Sequence, residues 1–256
     1  MIRALLWDVD GTLAETERDG HRVAFNLAFE SMGLAWRWDV EHYGRLLRVT
    51  GGRERLLHDL GSRPDAPAAP AEREALAGEL HRRKNAHYAR IVAEGGIALR
   101  PGVGELLDEA AERGLAQAIV STTARANLAA LLRHEPGRRA RHFRLQVCGE
   151  DVVAKKPDPE AYRLALAQLG IAPGQALAIE DSGPGAAAAA AAGVPVLVTR
   201  SVYFADDAIP QAIATGPGLH TREGWTPRPA GPAGGRVTLD DLFGWHALSR
   251  SVAIGG

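Results

Sequence analysis

The chain lacks most of what would mark a secreted, membrane or nucleic-acid-binding protein. Among 256 residues there is one cysteine, Cys148, so no internal disulfide can form and a reducing compartment suits it. No apolar run approaches the ~20 residues needed to span a bilayer. The first strand-like run begins directly after Met1 and leaves no room for a signal peptide, so a cytoplasmic location is expected. Thirty basic residues against 31 acidic ones give a formal net charge of −1, so neither a nucleic acid nor an anionic membrane is expected as a partner. Nothing points to an oligomer, and a monomer is the expectation. Lysine is almost missing: only Lys84, Lys155 and Lys156 stand among the 30 basic residues. Each survives by chance or because a compact ammonium is needed in place of a planar guanidinium.

What is present is an ordinary globular balance, 46% hydrophobic and 24% charged, long enough for a sizeable core. An apolar run climbs from Ile2 to Trp7 and breaks into Asp8-Val9-Asp10-Gly11-Thr12. The run fits a buried strand of a parallel sheet. Asp8 and Asp10, two apart, would project from its end on the same side. Two carboxylates that close repel, so one is protonated or a cation lies between them. The structural alternative is that Asp8 caps a helix.

The strand pattern then stops for some eighty residues. Helical spacing runs from Glu15 to Met32, ending at Gly33; a second helix starts at a cap, Asp39; a third follows the turn Thr50-Gly51-Gly52-Arg53. After a Pro/Ala linker from Pro64 to Pro70, a fourth helix runs to Gly95-Gly96. From Arg100-Pro101-Gly102 onward, helices alternate with apolar strands at 116–120, 145–148, 176–179 and 194–198. That alternation predicts an α/β fold with a Rossmann-like, doubly wound parallel sheet, interrupted by an inserted α-helical cap domain. The core would comprise residues 1–14 and 95–256, the cap 15–94. The alanine run from Ala186 predicts a thin helix packed close to the sheet. Eleven glycines or prolines between Pro210 and Gly235 predict mostly irregular chain, with a short closing helix over 239–248.

Polar residues interrupt the apolar strands at their carboxyl ends, where ligands gather in such sheets. Asp8 and Asp10 end the first strand, Ser121-Thr122-Thr123 the second, Lys155-Lys156-Pro157 follow the third, and Glu180-Asp181-Ser182 end the fourth. Asp8, Asp10, Glu180 and Asp181 form an all-oxygen acidic set suited to Mg²⁺. Ser121 offers a hydroxyl and helix-start amides to phosphate oxygens, and Lys156 offers charge where a phosphoryl group becomes more negative. A carboxylate nucleophile beside a second carboxyl could attack phosphorus in line and form an aspartyl-phosphate.

These residues resemble the four motifs of the haloacid dehalogenase-like (HAD) hydrolase superfamily over roughly residues 1–14 and 95–200. The resemblance implies a phosphoric monoester hydrolase with Mg²⁺ as cofactor, Asp8 as nucleophile and Asp10 as general acid, then base. Mg²⁺ would be held by Asp8, the Asp10 carbonyl and Asp181, with Glu180 in or just behind that shell. Glu15-Thr16-Glu17, Val49-Thr50-Gly51-Gly52-Arg53-Glu54-Arg55 and His81-Arg82-Arg83-Lys84 are similar to CbbY-type xylulose-1,5-bisphosphate phosphatases, which remove an inhibitor of rubisco in the Calvin cycle. Two departures stand out: Arg53 where lysine is expected, and Gly20 as an extra residue in the first cap helix.

A bisphosphate has a second anionic end that must be held. Arg53, following two glycines, is expected to contact it; His21 and Lys84 are further candidates, with Gly51, Gly52, Thr122 and Thr123 lining the site. Arg55, Arg82 and Arg83 are expected on a solvated helix face. Glu17 could accept sugar hydroxyls, and Trp36 and Trp38 belong to a cap core. The alternatives are a β-phosphoglucomutase-like sugar-phosphate mutase and a phosphoglycolate-type phosphatase. A receiver module would be about half as long and lack the insertion, and a catalytically dead binding module would not keep every catalytic position filled.

Overall fold

The computed structural model describes residues 1–95, 97–134, 139–231 and 234–254. Gly96, expected to help close the helical block, and Pro232, within the Gly/Pro-rich stretch, lie outside them. Six strands make one parallel sheet: β1 (Ala4–Trp7), β2 (Ala116–Val120), β3 (Phe143–Val147), β4 (Ala176–Glu180), β5 (Val196–Thr199) and β6 (Ala212–Gly216). Their order is β3-β2-β1-β4-β5-β6. The chain therefore winds outward from β1 in one direction and then in the other, and the switch opens a crevice at the carboxyl end of β1. Trp7 pairs with both Ile119 and Ile179, so the residues that follow these three emerge level with one another.

Alternation along β1 sends side chains into two cores. Leu5 and Trp7 pack in one cluster with Val103 and Leu106 of α5 (Val103–Glu112) and with Leu242 and Trp245 of α9 (Leu239–Ile254). Ala4 and Leu6 face the other, with Ala161 and Tyr162 of α7 (Glu160–Leu169) and the alanines of α8 (Gly183–Ala191). Ala186, Ala188 and Ala189 are fully buried, as the expected thin helix requires. The other elements are α1 (Arg22–Ser31), α2 (Val40–Leu46), α3 (Gly52–Ser62), α4 (Pro70–Ala93) and α6 (Arg125–His134).

Between β1 and α5, α1–α4 form a helical block with its own core of Phe25, Phe29, Trp36, Trp38, Tyr43, Leu56 and Leu80. Trp36 and Trp38 belong to that core, as expected. Asp39 caps α2 by accepting the His42 amide at 2.7 Å. The first helix of the block is not uniform: residues Glu17–His21 form one π-helical turn before α1. A π turn holds one residue more than an α turn, so an added residue at Gly20 can be accommodated there without breaking the helix.

The Gly/Pro-rich stretch departs from its expected irregularity. It contributes β6 to the sheet edge, hidden in sequence because Ala212–Gly216 is five residues long and lies among turn formers. The closing helix also runs on to Ile254. Among the described residues no helix is long and apolar enough to cross a membrane.

Candidate active site

The level strand ends bring Asp8, Glu180 and Asp181 together: one carboxylate oxygen from each lies within 4.8 Å of the others. All three are at least 93% buried, and so is Lys156, whose exposure is 4%. Lys156 comes from the loop after β3 and donates to Asp8 at 2.7 Å, Glu180 at 2.6 Å and the Val120 carbonyl at 2.8 Å. The phenol of Tyr162, from α7, donates to the same Glu180 oxygen. Ser121 lines the cavity beside Asp8 and accepts the Thr123 amide on its hydroxyl at 3.2 Å.

Three buried carboxylates face one lysine, and the charge does not balance. Burial pushes the Asp8 carboxyl up to about 7 against the pull of Lys156, and burial beside Asp8 pushes Asp181 well above the usual range. The second oxygen of Glu180 is buried with no partner among the described residues. An all-oxygen, negatively charged donor set with a spare oxygen fits a small divalent cation such as Mg²⁺. Gly185 is required beside it, because a Cβ there would overlap the Glu180 carboxylate.

The Asp10 side chain is not in that cluster. It accepts from the Thr16 hydroxyl and meets His21 Nε2 at 2.9 Å. Burial would raise its pKa, but His21 beside it and the hydrogen bonds from His21 and Thr16 outweigh that and hold it well below the usual carboxylate range. His21 is buried and stacked on Tyr88 with ring centroids 4.2 Å apart. The π turn delivers this histidine, and Gly20 just before it lies so close to Tyr88 that a Cβ would stand 3.0 Å from the ring.

A second cavity of about 140 Å³ adjoins this centre and shares Asp10, Glu17, Gly51, Arg55 and Thr122 with it. Every expected substrate residue lines it: Glu17, His21, Gly51, Gly52, Arg53, Lys84, Thr122 and Thr123. Two arginines differ from expectation. Arg53 turns its guanidinium to Glu74 on the surface, and Arg55 is 6% exposed instead of solvated. Arg55 is drawn in because it donates to the Tyr43 hydroxyl at 2.8 Å and faces Glu17 at 3.8 Å. Arg82 and Arg83 pair with Glu79 on the surface, as a solvated face requires.

Lys84 is different again. It is 3% exposed, its ammonium faces Asn85 Oδ1 at 3.5 Å, and no ion pair joins it to a carboxylate among the described residues. Burial lowers its ammonium to about 8, with Asp10 and Glu17 pulling the other way. Helical spacing alone did not single out Tyr162, Asn127 or the Lys155–Glu54 pair, whose partners are distant in sequence. A roomier cavity, about 870 Å³, opens at the amino ends of the strands, but its lining holds no carboxylate and none of the residues above.

A carboxylate cluster and a buried lysine at the switch point of a doubly wound sheet define a phosphoryl-transfer enzyme of one class. The chain belongs to the haloacid dehalogenase-like hydrolase family, whose profile matches residues 2–193. Within it, the chain is similar to the plasmid CbbY protein of Cupriavidus necator, 42% identical over 249 residues, 96% of this chain and 97% of that protein. It is 44% identical over 210 residues to CbbY of Rhodobacter capsulatus, covering 80% of this chain and 88% of that one. A mutant CbbY from Rhodobacter sphaeroides, solved in complex with xylulose-(1,5)bisphosphate, superposes with a TM-score of 0.77 at 41% identity, over 83% of this chain and 92% of that one.

Proposed function

We propose that this enzyme is a Mg²⁺-dependent phosphatase that converts xylulose 1,5-bisphosphate to xylulose 5-phosphate. The observation that carries the bisphosphate reading is Lys84: a buried ammonium without a carboxylate in contact, lining a cavity that adjoins the phosphoryl-transfer centre. A buried charge needs a counter-charge, and the distal phosphate of the substrate supplies one. The likeness to CbbY proteins supports the sugar. Residues 15–94 act as the cap and residues 1–14 with 95–256 as the catalytic core.

Asp8 is the nucleophile and attacks the phosphorus of the reacting group, displacing the sugar oxygen. Asp8, Glu180, Asp181 and the Asp10 carbonyl would hold Mg²⁺, which when bound favours ionised Asp8 and offsets phosphoryl charge. Lys156 and Ser121 hold the phosphoryl oxygens. The Asp10–His21 pair delivers one proton to the departing sugar oxygen, and Asp10 then takes a proton from the water that attacks the aspartyl-phosphate. That second attack releases inorganic phosphate and restores Asp8. Lys84, with Arg55 at the cavity wall, serves the phosphate that stays on the sugar. The cap over the cavity limits the access of water to the phospho-enzyme until it opens.

The test is phosphate release with and without Mg²⁺ over a panel of sugar mono- and bisphosphates. Stoichiometric phosphate from xylulose 1,5-bisphosphate, with xylulose 5-phosphate as co-product, is expected. Interconversion of sugar monophosphates without net phosphate release would instead identify a mutase.

A further inference from the structure

We propose that Asn127 recognises a sugar hydroxyl in the substrate cavity; the proposal rests on the substrate being a phosphorylated sugar. Asn127 stands in the first turn of α6, is 3% exposed, and lines the 140 Å³ cavity together with Lys84 and Thr123. Its side-chain nitrogen donates to Asn85 Oδ1 at 3.1 Å. The same Asn85 oxygen faces the Lys84 ammonium at 3.5 Å. An ammonium has donors only, so Asn85 must present its oxygen there, and Asn127 must answer that oxygen with its NH₂ group. Lys84 thereby fixes the orientation of both amides, and the Asn127 carbonyl is left facing elsewhere.

That carbonyl oxygen is buried and has no partner among the described residues. Buried acceptors are rarely left unpaired, and one on a residue that lines a substrate cavity points to a donor brought by the ligand. Phosphate oxygens cannot be that donor at neutral pH, since they are acceptors. A hydroxyl can. The cavity wall then divides its work: Lys84 takes the anion, and Asn127, a few ångströms along the same amide chain, takes an O–H beside it. A small phosphorylated acid without such a hydroxyl would leave the oxygen unsatisfied, so Asn127 discriminates against it.

Two comparisons test this. Wild-type enzyme is given xylulose 1,5-bisphosphate and its 3-deoxy and 4-deoxy analogues, and Asn127→Leu is given the same three and p-nitrophenyl phosphate. The expected result is a loss of about 10- to 100-fold in kcat/KM for one deoxy analogue with wild type, carried by KM. In Asn127→Leu that discrimination disappears, and the fall on the parent sugar is at least about tenfold larger than on p-nitrophenyl phosphate. A wild type that treats all three sugars alike overturns the assignment, as does an Asn127→Leu enzyme that still discriminates. If the variant does not fold, the wild-type comparison decides alone. Failure of wild type to release phosphate from any sugar bisphosphate would reject the parent reading and this one with it, a result distinct from equal turnover of all three.

Discussion

The helical block is tied to the sheet at the loop that carries Lys156, and the tie can be measured. Lys155, the residue before Lys156, pairs with Glu54 in the first turn of α3 at 2.6 Å. The Thr50 hydroxyl donates to the Lys156 carbonyl alongside it. Gly51, at φ 92°, lets the chain turn between these two contacts, where a Cβ would stand 2.9 Å from the Lys155 ammonium. The ion-pair side chains are 22% and 41% exposed. An exposed pair contributes about 0.2–1 kcal/mol, and breaking a buried one costs about 3–5 kcal/mol. With Glu54 partly screened by solvent, about 1 kcal/mol is the reasonable value, which shifts an open–closed equilibrium about fivefold. Lys155→Met and Glu54→Gln should each raise KM for the sugar bisphosphate about fivefold, and the double variant should be no worse than either single one. The wild-type KM should also rise with added salt more steeply than that of the variants. Steady-state kinetics of the full cycle is the assay. Additive effects, about 25-fold in the double variant, would refute the latch and leave two independent contacts.

The remaining predictions concern the chemistry itself. Asp8→Asn should abolish phosphate release while circular dichroism shows a folded protein; retained turnover would remove the aspartyl-phosphate route. Burial lowers Lys84 to about 8, so its charge is present below that pH and lost as pH rises through it. KM for the bisphosphate should therefore climb above about pH 8 in wild type, and Lys84→Met should show a raised, pH-flat KM over the same range. In Gly185→Ala the new methyl group displaces the Glu180 carboxylate, and Mg²⁺ affinity, read from the thermal shift on titration, should fall by about 10- to 100-fold.

How far the sequence could be read depended on the range of the interaction involved. β1, β2 and β4 declared themselves as apolar runs ended by candidate functional residues and β5 as an apolar run, and the alternation with helices pointed to a doubly wound sheet. The candidate catalytic set was legible because Asp8, Ser121 and Glu180 sit at strand ends and Lys156 follows another in a loop. Side chains recruited across the chain were not legible: Arg55 carries the same local signal as Arg82, and only the distant Tyr43 and Glu17 draw it inward. Asn127 likewise lies on an ordinary helical stretch, and its meaning comes from Asn85 on another helix. β6 was hidden because edge pairing to β5, not its own composition, makes Ala212–Gly216 a strand.

Asp8 and Asp10 show why chemistry cannot be assigned from adjacency alone. They share a strand end, yet one joins Lys156, Glu180 and Asp181 while the other turns to Thr16 and His21. With Lys156 as the only cation in contact with it among the described residues, Asp8 is the carboxyl that burial pushes up, and Asp10 is the one held ionised. That is the reverse of the division expected from a nucleophile that attacks and an acid that carries the proton. On the proposed mechanism two features would restore the working division: a divalent cation held by the carboxylate cluster on the Asp8 side, and His21 in contact with Asp10 on the other. The histidine reaches Asp10 from the π turn that holds Gly20. Gly20, which resemblance alone marks as a departure from the family pattern, thus lies in the turn that places the Asp10 partner.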